Sequence, residues 1–304
     1  MPNIDNNETI EPLLPWYARP SIDLQRIIPH HLLSNLLYHL SRSTTPFIKN
    51  FLIQQVISTY KIDMKQAIES DPTRYTCFND FFNRALYADA RPQEQTTDAI
   101  LVPADGTLYQ IGTIRNNRML QAKRRDYSLL QLLGNDTEWE NKFINGYVAT
   151  IGLSLGDSHR VFMPLDGELI RMHHVPGRLF EINPFSLRLI PKLFLSNERV
   201  ICLFETKVGP MAVILIGTLF SGGIDTTWAG TVAPVTRRIE HWNYISSSNA
   251  IHLEKGKQLG CFNIGSTVMV LFGVNRIEWN PNLLTAMLQL SVYPLEIHIV
   301  YSCP

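Results

Sequence analysis

Two hydrophobic periodicities divide this chain. From Ser21 to about Leu86 the apolar residues recur at helical spacing, and Leu32, Leu33, Leu36, Leu37 and Leu40 fall on one helix face with Pro29 near its start. Thr45-Pro46 opens a second helix that carries Phe47, Phe51, Leu52 and Val56 on roughly one side, and Asn79-Asp80-Phe81-Phe82 belongs to a third, short one. Residues 1–20 ahead of them read as an irregular arm. From Ala99 the pattern becomes that of strands, at 100–102, 147–153, 159–163, 168–174, 200–205, 211–217, 268–272 and 295–301. Turn signals at Pro103-Ala104-Asp105-Gly106, Leu165-Asp166-Gly167 and Val208-Gly209-Pro210 separate some of them, and one helix over 127–133 interrupts the series. The pattern predicts an α+β chain: amphipathic helices over 21–90, then a mostly antiparallel, barrel-like β domain over 91–304.

Composition narrows the classes. The polar positions of the helices carry Arg26, His30, His31, His39, Arg42 and Lys49, and no acidic residue lies between Gln25 and Ile62. Basic, Leu/Phe-rich helices suit a membrane interface, the alternative being that they pack on the domain behind them. Lys+Arg 27 balances Asp+Glu 27, so no bulk charge points to nucleic acid. The four cysteines, Cys77, Cys202, Cys261 and Cys303, are scattered without C-x-x-C spacing, which argues against a metal site or disulfide framework and fits a reducing compartment. The first residues lack the basic start and apolar core of a signal peptide, and the apolar runs at 211–216 and 268–272 are too short to span a bilayer. The expectation is a protein that is soluble or sits on a membrane surface.

The most informative chemistry lies at Gly265-Ser266-Thr267, where QLGCFNI passes into the β-branched run VMVLF. Glycine leaves its carbonyl open to attack and tolerates strained angles. A following serine hydroxyl can convert that amide to an ester and then leave by β-elimination, and the ketone that results is a pyruvoyl group. The triplet alone is also a common loop sequence.

The segments around it resemble the phosphatidylserine decarboxylase family. They are Phe81-Phe82-Asn83-Arg84-Ala85-Leu86, Val102-Pro103-Ala104-Asp105-Gly106, Leu120-Gln121-Ala122-Lys123 and His159-Arg160-Val161. They continue through Pro176-Gly177, the run from Asn197-Glu198-Arg199 to Phe204, and Trp228-Ala229-Gly230-Thr231. Lys255-Gly256, Gly260, Phe262 and Gly265-Ser266-Thr267 complete the set, in the family's order over roughly residues 40–275. The resemblance implies a proenzyme that cuts itself between Gly265 and Ser266 into a β chain, 1–265, and an α chain, 266–304, led by the pyruvoyl group. The two would remain together as a heterodimer, with further oligomerisation open. Phosphatidylserine would condense with the ketone as a Schiff base and lose carbon dioxide to give phosphatidylethanolamine. A peripheral position on the cytoplasmic side of the cell membrane is expected. Self-cleavage in the family uses an Asp-His-Ser relay; Ser266 matches the nucleophile and Asp105 the orienting acid. His159 matches the histidine that binds the substrate carboxylate or handles the proton after decarboxylation.

Four positions depart from the family pattern. Phe162 stands where the relay histidine would be, Ser158 and Gly152 replace tyrosines, and Gln258 replaces a glutamate near the cleavage site. A hairpin at Asp166-Gly167 would set His174 opposite His159 and turn His173 away, which makes His174 and His173 candidate substitute bases. Three readings follow: an active decarboxylase, a non-maturing lipid-binding relative of the same fold, and a pyruvoyl enzyme for another amine.

Overall fold

The computed structural model describes residues 14–91, 99–122, 125–218, 223–233, 238–245, 250–263, 265–279, 295–296 and 300–302. Val200 to Phe204 and Met211 to Ile216 are fully buried along their whole length, which requires strands covered on both faces. They lie in β8 (Arg199–Thr206) and β9 (Gly209–Gly217), a hairpin at the centre of a nine-stranded sheet. Ahead of them in the chain come β1 (Ala99–Leu101), β2 (Thr107–Thr113), β3 (Arg118–Ala122), β4 (Arg125–Ser128), β5 (Tyr147–Leu153), β6 (Arg160–Phe162) and β7 (Gly167–Val175). After them come β10 (Ile224–Thr226), β11 (Gly230–Ala233), β12 (Glu240–Asn243), β13 (His252–Leu253), β14 (Gln258–Phe262), β15 (Ser266–Phe272), β16 (Leu295–Glu296) and β17 (Val300–Ser302).

The large sheet runs β12-β7-β8-β9-β15-β5-β2-β16, with β13 also on β7, and a four-stranded sheet runs β11-β10-β14-β6. Every pairing within the two sheets is antiparallel. Alternate residues of the large sheet feed two cores. Ile151, Val200, Leu215 and Val268 meet Val161, Ile224, Leu259 and Phe262 of the small sheet. Ile201, Ile214, Ile216 and Met269 face a helical layer with Trp139, Phe143 and Phe194. Both sheets are open paths, so among the described residues the expected barrel does not close: the small sheet lies over one face of the large one, where a barrel would have continued it.

The helices are α1 (Ala18–Ile27), α2 (His30–Ser41), α3 (Pro46–Tyr60), α4 (Phe78–Phe82), α5 (Leu129–Leu132), α6 (Thr137–Phe143), α7 (Pro184–Leu189) and α8 (Leu193–Ser196). α1 begins inside the expected arm, whose residues 1–13 lie outside the described ones. The helix expected over 127–133 is shorter, because Ser128 accepts a hydrogen bond from Gln131 N and caps α5 there. The strand expected over 295–301 is described only as β16 and β17.

α2 is amphipathic in the opposite sense to an ordinary surface helix. Its buried residues are His30, Ser34 and Ser41, while Leu32, Leu36 and Leu40 are exposed. The polar side chains fasten this layer to the body: His31 Nε2 donates to Gly177 O at 2.8 Å, and Leu179 N donates to His30 Nδ1 at 3.0 Å. Lys49 Nζ on α3 reaches Thr73 O and Tyr75 O at 2.7 and 2.8 Å.

The turn into β2 closes against β5 at Gly106. Its φ is +144°, and a Cβ there would stand 2.4 Å from Gly152 O. Gly106→Ala should therefore destabilise the protein by about 2–4 kcal/mol, measured by urea unfolding, because both strain and backbone overlap must be relieved.

Candidate active site

β14 belongs to the small sheet and β15 to the centre of the large one, so residues 263–265 carry the chain across in one step. Gly265 makes the bend with φ +46°, a left-handed angle that suits glycine. The backbone of Ser266 then pairs with Leu153 on one side and Gly217 on the other. The peptide bond between a left-handed turn and a fixed central strand is thus the Gly265–Ser266 bond.

The Asn197-Glu198-Arg199 motif fixes one wall of this joint. Asn197 Nδ2 donates to Gly217 O at 2.9 Å and to Phe180 O at 2.7 Å, while Gly217 N donates to Glu198 O at 2.9 Å. Arg199, almost wholly buried, donates to the carbonyls of Gln131, Leu132, Leu195 and Asn197.

Asp105 stands on the opposite wall, in the turn between β1 and β2. Its carboxylate is held by Arg91, with Nε 2.9 Å from both oxygens and Nη2 at 2.7 Å. Phe162 N donates to Pro103 O at 2.7 Å, which puts position 162 beside that same turn. Asp105 therefore has a guanidinium for a partner, and the neighbouring strand offers it a phenylalanine instead of an imidazole.

His159 is fully buried under Phe82 of α4, with ring centroids 4.0 Å apart. Its Nδ1 lies 3.0 Å from Asp157 O, an acceptor, so Nδ1 carries the hydrogen and Nε2 presents a lone pair. Nε2 has no partner among the described residues. Burial pushes the imidazole pKa down to about 3, against the opposing effect of the Asp157 carbonyl.

The expected hairpin between β6 and β7 does not form. Met163 N donates to Lys257 O and Leu101 N to Pro164 O, so the chain leaves β6 in the small sheet and enters β7 in the large one. His174 consequently pairs in register with Val200 and Glu240, not with His159. Its Nε2 lies 2.9 Å from Glu198 Oε1, both groups are buried, and its Nδ1 has no partner. Glu198 O is bonded to Gly217 N, the residue beside Ser266 on β9, while His174 lies on β7, three strands from β15, so the His174–Glu198 pair stands away from the joint. His173 lies away from it as well. Its Nε2 meets Asp136 Oδ2 at 3.0 Å and its Nδ1 meets His241 Nδ1 at 2.7 Å. As a substitute base it is ruled out by that placement.

Among the described residues, Asn263 Nδ2 and Thr267 Oγ1 flank the joint in sequence and are buried without partners, as is Nη1 of Arg42, whose Nη2 donates to Asn263. Folded proteins leave few such atoms, and those they leave mark sites of chemistry or binding.

Comparison with known proteins gives the family. A family model described as phosphatidylserine decarboxylase matches residues 78–287, and another, described as PSD, matches 20–61. The phosphatidylserine decarboxylase proenzyme of Bordetella pertussis is 48% identical over 267 residues, covering 88% of this chain and 90% of its own. That of Azotobacter vinelandii is 46% identical over 260 residues, covering 85% and 91%. The chain belongs to the phosphatidylserine decarboxylase family.

The departures from the family pattern fall into place once the strands are paired. Phe162 and Gln258 are direct cross-strand partners, so a histidine opposite a glutamate has become two neutral residues facing one another. Gly152 is covered by Tyr109, whose ring carbon would lie 2.2 Å from a Cβ at 152. Tyr109 sits at a register shift in β2 between Leu108 and Gln110, and such a bulge re-aims a side chain. Its phenol pKa is raised by burial, so it stays protonated. Arg91, Glu198 and Tyr109 were not singled out as site residues in the sequence. Only Glu198 carried a signal, within the Asn197-Glu198-Arg199 motif.

The His159 environment sets a pH dependence. Its folded-state pKa is depressed below the ordinary value near 6.5, so its contribution to stability is full above that value and is lost as pH falls toward 3. Wild type should lose up to about 1.4 kcal/mol per pH unit more than His159→Phe over that interval, read from urea unfolding at each pH. Equal slopes would show that His159 is hydrated.

Proposed function

We propose that the chain cuts itself between Gly265 and Ser266 and decarboxylates phosphatidylserine to phosphatidylethanolamine; its relatives are named phosphatidylserine decarboxylase proenzymes. The observation that carries this is the placement of the Gly265–Ser266 bond at the crossover between the two sheets, with Gly265 left-handed and Asn263 Nδ2 and Arg42 Nη1 buried beside it without partners among the described residues. A pyruvoyl group there supplies a ketone that takes up the electrons left by carbon dioxide.

The chain's own residues take the remaining tasks. His159 is neutral throughout the physiological range and offers Nε2 as an acceptor, which supports proton handling over binding of a carboxylate. Asp105, paired with Arg91, stays in the turn that holds β2 against β5. With Phe162 in the relay position, the proton of Ser266 needs another acceptor. Nε2 of His159, buried and without a partner among the described residues, is the imidazole candidate for that role, since His174 is engaged with Glu198 three strands from β15.

The helical layer supports docking on a membrane surface as a peripheral protein, on the cytoplasmic side. No helix of the described residues is long and apolar enough to cross a membrane. Instead, Leu32, Leu36 and Phe47 are 69%, 63% and 82% exposed on helices that hold no acidic residue between Gln25 and Ile62, and Trp16, just ahead of α1, is 87% exposed. A face of this kind buries apolar area among acyl chains while its cations meet anionic headgroups.

Two experiments test the reading. Purified protein should run as two chains, and Ser266→Ala should remain one chain of 34.7 kDa. Phe162→His should speed cutting by about two to four orders of magnitude, the usual worth of a positioned general base, followed on a gel over time. A wild-type chain that stays uncut in the presence of lipid would leave the non-maturing reading in its place. For the docking surface, Leu32→Glu with Leu36→Glu should weaken sedimentation with phosphatidylglycerol-containing vesicles by at least about tenfold. Unchanged sedimentation would mean that another face meets the lipid.

A further inference from the structure

Self-cleavage makes a charge where there was none. Ser266 Oγ adds to the Gly265 carbonyl carbon, the C–N bond breaks, and the freed amine takes up the proton: the product is an ester. Loss of the Ser266 Cα proton then breaks the Cβ–Oγ bond, and its electron pair leaves on the Gly265 carboxylate. The dehydroalanine that remains gains one water and loses one ammonia to become the ketone. Gly265 is buried and Asn263 is 1% exposed, so this carboxylate is born inside the protein. An ion there needs a partner of opposite charge and donors for its lone pairs.

Arg42 supplies both. It follows α2, 221 residues away in sequence, and its Nη2 donates to Asn263 Oδ1 at 2.8 Å. The guanidinium carbon lies 3.7 Å from the centroid of the Tyr38 ring, which fixes its plane. Asn79 of α4 donates from Nδ2 to Asn263 Oδ1 at 3.1 Å and to Asn263 O at 2.9 Å. With Oδ1 engaged twice, Asn263 Nδ2 must point elsewhere, and it has no acceptor. Arg42 Nη1 is likewise buried without one. Two unused donors on two touching groups match a carboxylate, which accepts through two oxygens. Gly265 is two residues beyond Asn263, a reach of at most about 7 Å along the chain.

We propose that Arg42, with Asn263, is the receptor for the newly formed carboxylate of Gly265. It lowers the barrier to elimination by stabilising the leaving group and afterwards keeps the end of the β chain in place. The helical layer is then part of the maturation machinery, because it reaches the crossover through Arg42 and Asn79, and Arg42 is the group that receives the leaving charge. This inference rests on the self-cleavage reading above.

The test follows cutting by intact mass with and without hydroxylamine, which splits esters but not amides and would leave a hydroxamate on Gly265. Arg42→Gln keeps a donor for Asn263 and removes the charge, and Arg42→Lys keeps the charge. Arg42→Gln should cut at least about tenfold more slowly than wild type and accumulate a hydroxylamine-sensitive fraction, while Arg42→Lys falls between them. Cutting of Arg42→Gln at the wild-type rate overturns the proposal. So does slow cutting without a hydroxylamine-sensitive ester, since Arg42 would then act before the leaving group forms or through the fold. Wild type that never cuts would instead sink the self-cleavage reading.

Discussion

The three-residue passage from β14 to β15 governs the arrangement of everything around it. β14 is held in the small sheet by β6 and β10, and β15 is held in the large sheet by β5 and β9. Neither end can yield without unpairing a strand whose side chains fill the shared core. The bend must therefore be made within residues 263–265, and Gly265 makes it with a left-handed angle. The scissile position is thereby fixed in space, because the sheets on both sides are rigid and glycine alone takes the left-handed angle without steric cost.

The N-terminal helices serve this joint as well as the solvent side. Polar residues that an ordinary helix would present to water point inward and bond to backbone carbonyls or to Asn263, while leucines and phenylalanines point outward. Such a layer could not be stabilised by its own apolar face. It is held by hydrogen bonds, each of modest net worth near 1 kcal/mol, together with the small aromatic core of Phe78, Phe81 and Phe82. That core also covers His159, so the same contacts that attach the layer keep an imidazole dry and neutral.

The altered positions are mutually adjusted in space. Phe162 faces Gln258, and Tyr109 fills the volume that Gly152 leaves open. Asp105 keeps a full set of charge-assisted contacts through Arg91, so its carboxylate is not stranded by the loss of an imidazole. The histidines that do hold carboxylate partners are His173, with Asp136, and His174, with Glu198, on a strand that the local sequence alone would have paired elsewhere.

What the sequence by itself determined was local and covalent. The Gly265-Ser266 bond, the helical spacing from Ser21 to about Leu86, the strand periods of β5, β8 and β9 and the turn at Asp105-Gly106 depend on residue type and short separations. All are legible without a fold, and so is the ordered set of family motifs. Partnership across the chain was decided only by the tertiary structure. Local alternation cannot show that β6 joins β14 instead of β7, because both choices keep the same apolar residues inside; the decision comes from Lys257 O and Pro103 O taking the amide hydrogens of 163 and 162. For the same reason the outward turn of the leucines on α2, the cover of Tyr109 over Gly152 and the grip of Arg42 on Asn263 could not be read ahead. Each depends on which of two possible faces meets the rest of the molecule, and that is settled by packing between distant segments, not by the pattern within one.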